Sequence, residues 1–381
     1  MEKSQLWHNY HKMRPTRIII SGGGTGGHIF PAISIANALK RMEPGCEILF
    51  VGALGRMEMD MIPAAGYKII GLNIAGIQRG SIVKNLALPY KMFDSMRKAL
   101  KLITDFKPDA AVGVGGYASG PLLLAASWKN VPYLIQEQNS YAGVTNKRLG
   151  KNAAKICVAF DGMEQFFPAD RIIKTGNPVR KDVVDIEDKH FAGAELLKLD
   201  PLKKTILVTG GSLGAGTLNK SLEKHLKEII DQDVQLIWQT GKYYYKGIIE
   251  RLGANPHPNV RILEFLNRMD LAYAAADVII SRAGAGTIAE LCLIKKPVIL
   301  VPSPNVAEDH QTKNAFALVK NQAALMIADR SAEDTLVKAA LDLLNDGSKC
   351  EALSEKIGKM ALVNADEIIA QEVLNLTRRG L

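Results

Sequence analysis

The stretch RIIISGGGTGGHIFPAIS, residues 17–34, sets out the first structural unit of the chain. An apolar run at residues 18–20 leads into a loop in which five of six residues are glycine, and a helical pattern follows His28. A continuous apolar run predicts a strand that is buried on both faces. Glycines between a strand and a helix let the backbone approach an anion, to which the helix N-terminus offers N–H groups. The segment therefore predicts a strand, an anion-binding loop and a helix.

The same pattern recurs in TILVTGGSLGAGTLNKSLEKHLKEII, residues 205–230. Further apolar runs in the two halves predict strands around residues 46–52, 109–116, 132–139, 154–160, 234–241, 259–265, 277–286 and 296–303. Strands that alternate with helices are typical of βαβ units and doubly wound parallel sheets. We therefore predict an α/β fold with two Rossmann-like domains facing a cleft, and a ligand at the carboxyl ends of the strands.

The domain boundaries follow from these repeats. Residues 1–16 are predicted to be an N-terminal extension and residues 17–177 an N-terminal Rossmann-like domain, with the linker near TGNPVRKDV at residues 175–183. Residues 178–358 would form the C-terminal domain. Residues 359–381 are expected to form a helix that packs back on the N-terminal domain.

Composition excludes several classes of protein. With 381 residues, 47% hydrophobic and 23% charged, the chain is typical of globular proteins and long enough for two domains. No run reaches the ~18 apolar residues of a membrane-spanning helix, and residues 1–16 lack the apolar core of a signal peptide. The four cysteines are far apart and the histidines lack metal-site spacing, so we expect reducing cytoplasm, no metal and no cofactor.

The positive charge is confined to one half of the chain. Residues 1–176 contain 22 Lys and Arg against 12 Asp and Glu, whereas the remainder is nearly neutral. This indicates either a lysine-rich solvated surface or a half that faces an anionic membrane or a phosphorylated substrate. Nucleic acid is disfavoured because no nucleic-acid-binding motif accompanies the charge.

The first glycine loop resembles two nucleotide-binding motifs without completing either. GGGTGG at residues 22–27 matches GxGxxG, but a dinucleotide site also needs an acid at the tip of the second strand. That strand runs into LFVGALGRMEMD, residues 49–60, which has no acid at its tip. A P-loop would need GK[ST], where this chain has Gly27-His28-Ile29. Both interpretations are disfavoured.

Two loops in the second half have alternative interpretations. GGSLGAG at residues 210–216 contains the GxSxG of esterases, but no second oxyanion motif accompanies it, so Ser212 is a better phosphate or ribose ligand. In SRAGAGTIAE, residues 281–290, Thr287 to Glu290 fits a capping box. Glu290 either fixes that helix start or accepts hydrogen bonds from ribose hydroxyls. Several helix N-termini without an acidic metal motif favour a sugar nucleotide whose diphosphate departs without a metal.

Seven motifs in one order give the chain a family resemblance. They are GGTGGH, GVGGYASGP, EQN followed by AGVTNK, TGNPVR, GGSLGA, RAGAGTIAE and EDHQTKNA. From Arg17 onward the chain resembles the MurG-type glycosyltransferases of family 28, which have the two-Rossmann GT-B fold. The resemblance implies a metal-independent inverting hexosyltransferase of peptidoglycan synthesis that moves N-acetylglucosamine (GlcNAc) from UDP-GlcNAc to lipid-linked muramyl-pentapeptide.

The resemblance also implies roles for individual residues. Donor ligands would be Arg180 and Ser212 at the nucleotide and its phosphates, Leu266 at uracil through its backbone, Ala285, Gly286, Thr287, Ile288 and Ala289 at phosphate and ribose, Glu290 at ribose, and Asn139 and Gln311 at the sugar. Thr25, Gly26 and Gly27 would lie by the donor sugar and the acceptor diphosphate. The family usually has His-Glu-Gln-Asn where this chain has Gln136-Glu137-Gln138-Asn139, so no imidazole role is available at position 136.

His28 is the candidate general base for the acceptor hydroxyl, since imidazole titrates in a suitable range. Alternatively it caps the helix or binds phosphate, and Glu137 is the reserve candidate.

The expected partners are UDP-GlcNAc, the lipid-linked acceptor, cell-wall synthesis proteins and the anionic inner-membrane surface. Residues 77–91 would contact lipid at the cytoplasmic face, whereas Pro89, Phe93, Met96, Leu100 and Ile103 have helical spacing typical of core. Rival functions are another UDP-sugar enzyme, such as a lipid glycosyltransferase or a UDP-GlcNAc 2-epimerase, and a catalytically silent UDP-sugar-binding scaffold.

Overall fold

The computed structural model of the chain describes residues 14–74, 88–254 and 256–379. Contacts divide the chain into two compact units. The first unit ends at Pro178 and resumes at Asn364, and the second unit runs from Val179 to Val363. Each unit is built on a parallel sheet with helices, so the predicted α/β fold class is confirmed.

The first unit has seven parallel strands in the order β3-β2-β1-β4-β5-β6-β7. Their bounds are β1 Arg17–Gly22, β2 Glu47–Ala53, β3 Lys68–Leu72, β4 Ala110–Gly115, β5 Tyr133–Glu137, β6 Lys155–Val158 and β7 Ile172–Lys174. The central strand β1 pairs with β2 on one side and β4 on the other. Ile18, Ile19 and Ile20 have no exposed surface, and burial of each stabilises the fold by roughly 1.5–3 kcal/mol.

Helices cover both faces of this sheet. They are α1 Gly26–Met42, α2 Glu58–Ala64, α3 Leu88–Phe106, α4 Ser119–Trp128 and α5 Val144–Gly150. Because side chains alternate along a strand, Ile18 and Ile20 pack toward α1, whereas Ile19 packs in the cluster that includes residues of α3 and α4. The alternation explains why a strand that is apolar at every position lies at the centre of the sheet.

The second unit repeats the arrangement with six parallel strands in the order β10-β9-β8-β11-β12-β13. The strands are β8 Thr205–Thr209, β9 Gln235–Gln239, β10 Val260–Leu263, β11 Val278–Ser281, β12 Val298–Leu300 and β13 Leu325–Met326. The helices are α6 Lys181–Val184, α7 His190–Leu196, α8 Gly216–Asp231, α9 Tyr245–Leu252, α10 Met269–Ala275, α11 Ala285–Ile294, α12 His310–Lys320, α13 Asp329–Leu344 and α14 Gly347–Lys359. Helices α8 and α13 pack together over a core that includes the fully buried Trp238.

The last helix, α15 Ala365–Arg379, belongs to the first unit. It packs against α1 and buries Ile369 and Val373 in the same cluster as Ile18. An ion pair of 2.7 Å between Arg41 and Asp366 adds a polar contact between the two helices. The first unit is therefore assembled from both ends of the chain.

Helix α3 differs from the prediction at its N-terminal end. Ile103 is buried, but Pro89 is exposed and Phe93 is 70% exposed, so their assignment to the core was wrong. The apolar spacing continues into the first turns of α3, but a side chain is buried only where another element covers it, and no described residue covers Phe93. Strands β3, β7 and β13 lie outside the predicted set.

Parts of two predicted segments fall outside the described residues. They are residues 1–13 of the predicted extension and residues 77–87 of the predicted lipid-contacting segment 77–91, of which residues 88–91 are described. Over the described ranges, no helix combines the length and apolar character that crossing a membrane requires.

Candidate active site

The candidate residues of the first unit follow β1 and β5. Thr25, Gly26, Gly27 and His28 form the turn into α1, whose N-cap is Thr25, and Glu137 is the last residue of β5. Parallel strands bring their carboxyl ends to one edge of the sheet, with only β4 between β1 and β5. The order of the strands thus brings the glycine loop and the segment after β5 to the same edge.

The hydrogen bonds of His28 determine its neutral tautomer. Its Nδ1 lies 3.0 Å from the carbonyl oxygen of Gly23 and 3.5 Å from Thr25 Oγ1. A carbonyl can only accept, so Nδ1 carries the proton and donates to Gly23. Nε2 is then the proton-accepting nitrogen of the neutral ring, an arrangement that suits a general base.

The imidazole of His28 is also held from β4. A Cβ atom on Gly115 would lie 2.7 Å from Nε2, and one on Gly116 would lie 2.5 Å from the Gly23 carbonyl oxygen. Both glycines have positive φ, at +111° and +90°. The start of the GVGGYASGP motif therefore allows the β4 loop to pack directly on the His28 ring and its carbonyl partner.

The carboxylate of Glu137 is buried and accepts four hydrogen bonds. Oε1 accepts from the Asn139 backbone N–H at 3.1 Å and its side-chain amide at 3.4 Å. Oε2 accepts from the Gly143 N–H at 3.1 Å and the Asn146 amide at 2.8 Å. The carboxylate therefore organises the segment that carries Asn139.

Gln136, which stands where the family usually has histidine, lies in a buried amide network. Its Nε2 donates to Asn177 Oδ1 at 2.9 Å, and Asn177 Nδ2 donates to the Gln138 carbonyl at 3.0 Å. Asn177 lies just before the end of the first unit at Pro178. Gln136 therefore connects β5 to the segment that leads out of the first unit.

The second unit collects its candidate residues at the carboxyl ends of four strands. Ser212 follows β8, Leu266 follows β10, Ala285 to Glu290 follow β11, and Gln311 comes after β12. The five residues from Ala285 to Ala289 form the start of α11, in which Ile288 is buried. Arg180 is the N-cap of α6 and lines a cavity of about 280 Å³ with Asn267 and Met269.

Glu290 does not cap its helix. The N-cap of α11 is Gly284, without a side-chain cap, so the capping-box alternative was wrong. Instead, Glu290 Oε2 accepts a hydrogen bond of 2.9 Å from the hydroxyl of the buried Tyr273 in α10. Burial raises the pKa of Glu290, while the Tyr273 hydrogen bond and the positive charge of Arg180 lower it and Asp182 raises it.

Gln311 has a fixed amide orientation. Its Oε1 accepts from the Ser303 N–H at 2.8 Å and the Ala283 N–H at 3.3 Å. Two N–H donors require the oxygen on that side, so the NH₂ group faces the opposite way. Gln311 therefore joins the loops after β11 and β12 and can read a ligand only as a donor.

The loop after β8 is joined to Leu266 by Gln239. The side-chain amide of Gln239 donates to the Gly211 carbonyl at 3.0 Å, and its oxygen accepts from the Leu266 N–H at 3.2 Å. Because the Leu266 N–H donates to Gln239, the backbone group that Leu266 can offer to a nucleotide base is its carbonyl. In the described part of the chain no histidine is hydrogen-bonded to Ser212 Oγ, so the esterase arrangement is not formed.

Several residues that shape the site were not predicted: Glu58, whose Oε2 accepts the Gly24 N–H of the first glycine loop at 2.8 Å, Gln239 and Tyr273, and also Asn146 and Asn177. The last two lie inside the AGVTNK and TGNPVR motifs, which were the available signal. The other three act over distances in sequence that no local pattern encodes.

Comparison with known families assigns both units. Residues 18–158 match the glycosyltransferase family 28 N-terminal domain, and residues 205–371 match the family 28 C-terminal domain.

Two bacterial relatives and one solved structure resemble the chain over nearly its full length. The relatives from Parabacteroides distasonis and Bacteroides thetaiotaomicron are 56% and 57% identical, over 96% and 94% of this chain and 99% and 97% of their own. Both carry the name UDP-N-acetylglucosamine–N-acetylmuramyl-(pentapeptide) pyrophosphoryl-undecaprenol N-acetylglucosamine transferase. The crystal structure of Acinetobacter baumannii MurG is 29% identical with a TM-score of 0.76, over 95% of this chain and 100% of that one.

Proposed function

The chain belongs to glycosyltransferase family 28, and we propose that it transfers GlcNAc from UDP-GlcNAc to the 4-hydroxyl of undecaprenyl-diphosphoryl-N-acetylmuramyl-pentapeptide. The observation that carries the proposal is 56% identity over 96% of the chain with a relative named for this transfer. In the reaction the muramyl hydroxyl attacks the anomeric carbon, UDP leaves, and the α linkage becomes β. The product is the lipid-linked disaccharide of peptidoglycan synthesis.

The second unit carries the donor site in this proposal. Ser212 and the N-terminus of α11 bind the diphosphate with Arg180, while the Leu266 carbonyl meets uracil. Glu290, held by Tyr273, accepts hydrogen bonds from the ribose hydroxyls. As UDP departs, helix N-termini stabilise its growing negative charge.

The first unit carries the acceptor site and the base. His28 is favoured as the base because its Nδ1–H donates to the Gly23 carbonyl, so that Nε2 is the basic nitrogen of the neutral ring. The reserve candidate Glu137 is disfavoured because its two oxygens already accept four N–H bonds. We assign Glu137 to positioning Asn139, which reads the sugar.

The direct test measures UDP release from UDP-GlcNAc in detergent, with and without the lipid-linked muramyl-pentapeptide, and in the presence and absence of EDTA. We expect release that requires the acceptor and persists in EDTA. Conversion of UDP-GlcNAc to an epimeric UDP-sugar, without acceptor and without net UDP release, would favour the epimerase alternative. Donor binding by calorimetry without any release would favour the silent scaffold. Release with a diacylglycerol acceptor alone would favour a lipid glycosyltransferase.

Gln311→Glu is predicted to weaken use of the donor sugar while preserving the loops. A glutamate keeps an oxygen for the Ser303 and Ala283 amides but replaces the donating NH₂ with an acceptor that carries charge. We expect kcat/KM for UDP-GlcNAc to fall roughly 10- to 100-fold, since a lost hydrogen bond and added repulsion cost about 1.5–3 kcal/mol. Steady-state kinetics with varied donor measure the effect.

The control for added charge is Gln232→Glu, an exposed position after α8 in the same unit. It should leave the donor constants and the thermal midpoint unchanged. Unaltered donor kinetics in Gln311→Glu would show that Gln311 does not contact the donor sugar.

We also propose that the enzyme docks on an anionic membrane through the first turns of α3. Tyr90, Met92 and Phe93 are 69%, 52% and 70% exposed, and Lys91 lies among them. Trp128, 60% exposed, ends the helix that packs against α3. Exposed aromatic and basic side chains on one segment are typical of interfacial contact, which a lipid-linked acceptor requires.

The paired substitution Tyr90→Ser and Phe93→Ser is predicted to reduce binding to phosphatidylglycerol-containing vesicles by about tenfold or more, because two partly inserted aromatic rings are lost. Sedimentation with vesicles measures this. Phe191→Ser, at a 67% exposed phenylalanine of the second unit, is the matched control and should bind as the unchanged chain does. Since the sites are exposed, unfolding free energies should change by about 0.5 kcal/mol or less. Retained vesicle binding in the paired variant would contradict this docking site.

A further inference from the structure

A carboxylate that the sequence analysis did not single out lies directly behind the first glycine loop. Glu58, the first residue of α2, is 1% exposed. Its Oε2 accepts the Gly24 backbone N–H at 2.8 Å, and its Oε1 accepts the Ala53 N–H at 3.0 Å. The side chain therefore joins the loop after β1 to the end of β2.

The backbone is shaped to admit this carboxylate. A Cβ atom at position 23 would lie 2.2 Å from Glu58 Oε1, and one at position 52 would lie 2.6 Å from its Cγ. Glycine is therefore required at both positions while Glu58 occupies its place. Gly24 has φ of +86°, a left-handed conformation that favours glycine.

The two oxygens of Glu58 act as acceptors, as those of a carboxylate do. Among the residues that the structure describes, no Lys, Arg or His nitrogen forms a salt bridge with it. A buried negative charge is costly unless hydrogen bonds satisfy it, so the two backbone amides are its compensation. Conversely, Glu58 supplies the hydrogen-bond acceptor for the Gly24 N–H, in a loop whose shape suits an anion.

The identity of that amide gives Glu58 a role in specificity. In GxGxxG the second glycine is the one at which the backbone approaches the pyrophosphate of a dinucleotide. Here the second glycine is Gly24, and its N–H is already bonded to Glu58. The Gly23 N–H is likewise bonded to the Gly115 carbonyl at 3.3 Å. What remains at this loop for a ligand is the first turn of α1, where the amides of Gly26 and Gly27 have no partner within the helix.

We propose that the Glu58 carboxylate occupies the position at Gly24 that a nucleotide phosphate would otherwise take. The glycine loop therefore does not bind a dinucleotide, and it is held in the conformation that the acceptor needs. The exclusion of phosphate from the Gly24 N–H follows from the geometry alone, whereas the role in supporting the acceptor rests on the proposed function. Glu58 is a positioning residue, since it reaches the reaction only through the loop that carries Thr25 and His28.

The first experiment uses the unchanged protein. Amide exchange followed by NMR should find the N–H groups of Gly24 and Ala53 protected without any ligand. Inorganic pyrophosphate should leave the Gly24 resonance in place. Rapid exchange at Gly24, or a shift of its resonance with pyrophosphate, would overturn the proposal. Neither measurement depends on turnover.

The second experiment compares Glu58→Ala and Glu58→Gln with Asp60→Asn, which alters an exposed carboxylate of the same helix. Glu58→Ala should bind pyrophosphate about tenfold tighter than the unchanged protein, since an amide bond to a charged group becomes available. Added formate should compete with pyrophosphate for the vacated position. Absence of both effects in a folded Glu58→Ala protein would overturn the proposal. Asp60→Asn should behave as the unchanged protein does.

Kinetics distinguish positioning from general damage. Glu58→Gln keeps the volume but offers an NH₂ group where an amide needs an acceptor, so kcat/KM for the acceptor should fall about 100-fold, as for a displaced reactive group. KM for UDP-GlcNAc, whose nucleotide is bound by the other unit in the proposed function, should stay within about twofold. Formate should restore part of the activity of Glu58→Ala. An equal loss on the donor side, or no loss at all, would contradict the link to the acceptor. If the unchanged protein itself shows no acceptor-dependent release, the proposed function fails while the amide result stands.

Discussion

His28→Asn is expected to lower kcat by about 10²- to 10⁴-fold, the usual contribution of a general base. The asparagine side-chain amide can donate to the Gly23 carbonyl as Nδ1–H does. The hydrogen bond that positions residue 28 is therefore preserved. It supplies no basic nitrogen in place of Nε2. Rapid-quench or steady-state measurement of UDP release with saturating substrates gives the effect on kcat.

His28→Ala separates the two roles that the sequence left open. If His28 removes the proton, the asparagine and alanine variants lose activity to a similar extent. If His28 only caps the loop or binds phosphate, His28→Asn retains most of the activity. In either variant the KM for UDP-GlcNAc should change little, since the proposed ligands of the nucleotide lie in the other unit.

Glu290→Gln is expected to lower kcat/KM for UDP-GlcNAc by about 100-fold, because hydrogen bonds from ribose hydroxyls to a charged group are worth about 1.5–3 kcal/mol each. The amide oxygen of glutamine can still accept from Tyr273, so the fold of α10 and α11 should be preserved. Kinetics with varied donor and a thermal unfolding scan test both statements. A normal donor constant in a folded Glu290→Gln protein would place the ribose elsewhere.

The raised pKa of Glu290 gives this prediction a pH dependence. Ribose binding needs the ionised carboxylate, so the KM for UDP-GlcNAc should rise as pH falls, beginning above the ordinary glutamate value of about 4.3. Glu290→Gln should have a high KM that is flat over the same range. Tyr273→Phe removes a hydrogen bond that lowers the pKa, so its rise should begin at a higher pH. Identical profiles for Tyr273→Phe and the unchanged enzyme would show that Tyr273 does not tune Glu290. Arg180 and Asp182 remain in place in all of these proteins.

Much of the fold was accessible from local sequence. Strand β1 is apolar at three successive positions, and such runs with helices between them predict a buried parallel sheet whatever their neighbours are. The eight further predicted runs became strands β2, β4, β5, β6 and β9 to β12. Strands β3, β7 and β13 escaped prediction; β7 and β13 have three and two residues, too few to form a distinct pattern.

Burial and side-chain pairing depended on the tertiary structure. Helical spacing placed Phe93 with Ile103, but only the neighbouring elements decide that Ile103 is covered and Phe93 is not. The capping-box pattern at Thr287 to Glu290 was locally valid, yet α11 begins earlier, at Ala285, and Glu290 pairs with Tyr273 of another helix. The missing acid after β2 is the clearest case. Glu58 comes too late to stand at the strand tip, and only the turn into α2 brings its carboxylate to Gly24, 34 residues away in the chain.

The sequence by itself determined the two parallel-sheet units, the glycine loops that follow their first strands and the motifs by which the chain belongs to its family. These depend on periodicity and short-range backbone chemistry, which a few adjacent residues encode. The tertiary structure alone decided how the amide of Gln311 is oriented and which backbone and side-chain amides the buried carboxylates of Glu58 and Glu137 accept from. Those properties are set by hydrogen-bond partners from other strands and helices, and such partners become neighbours only when strand order and packing bring them together.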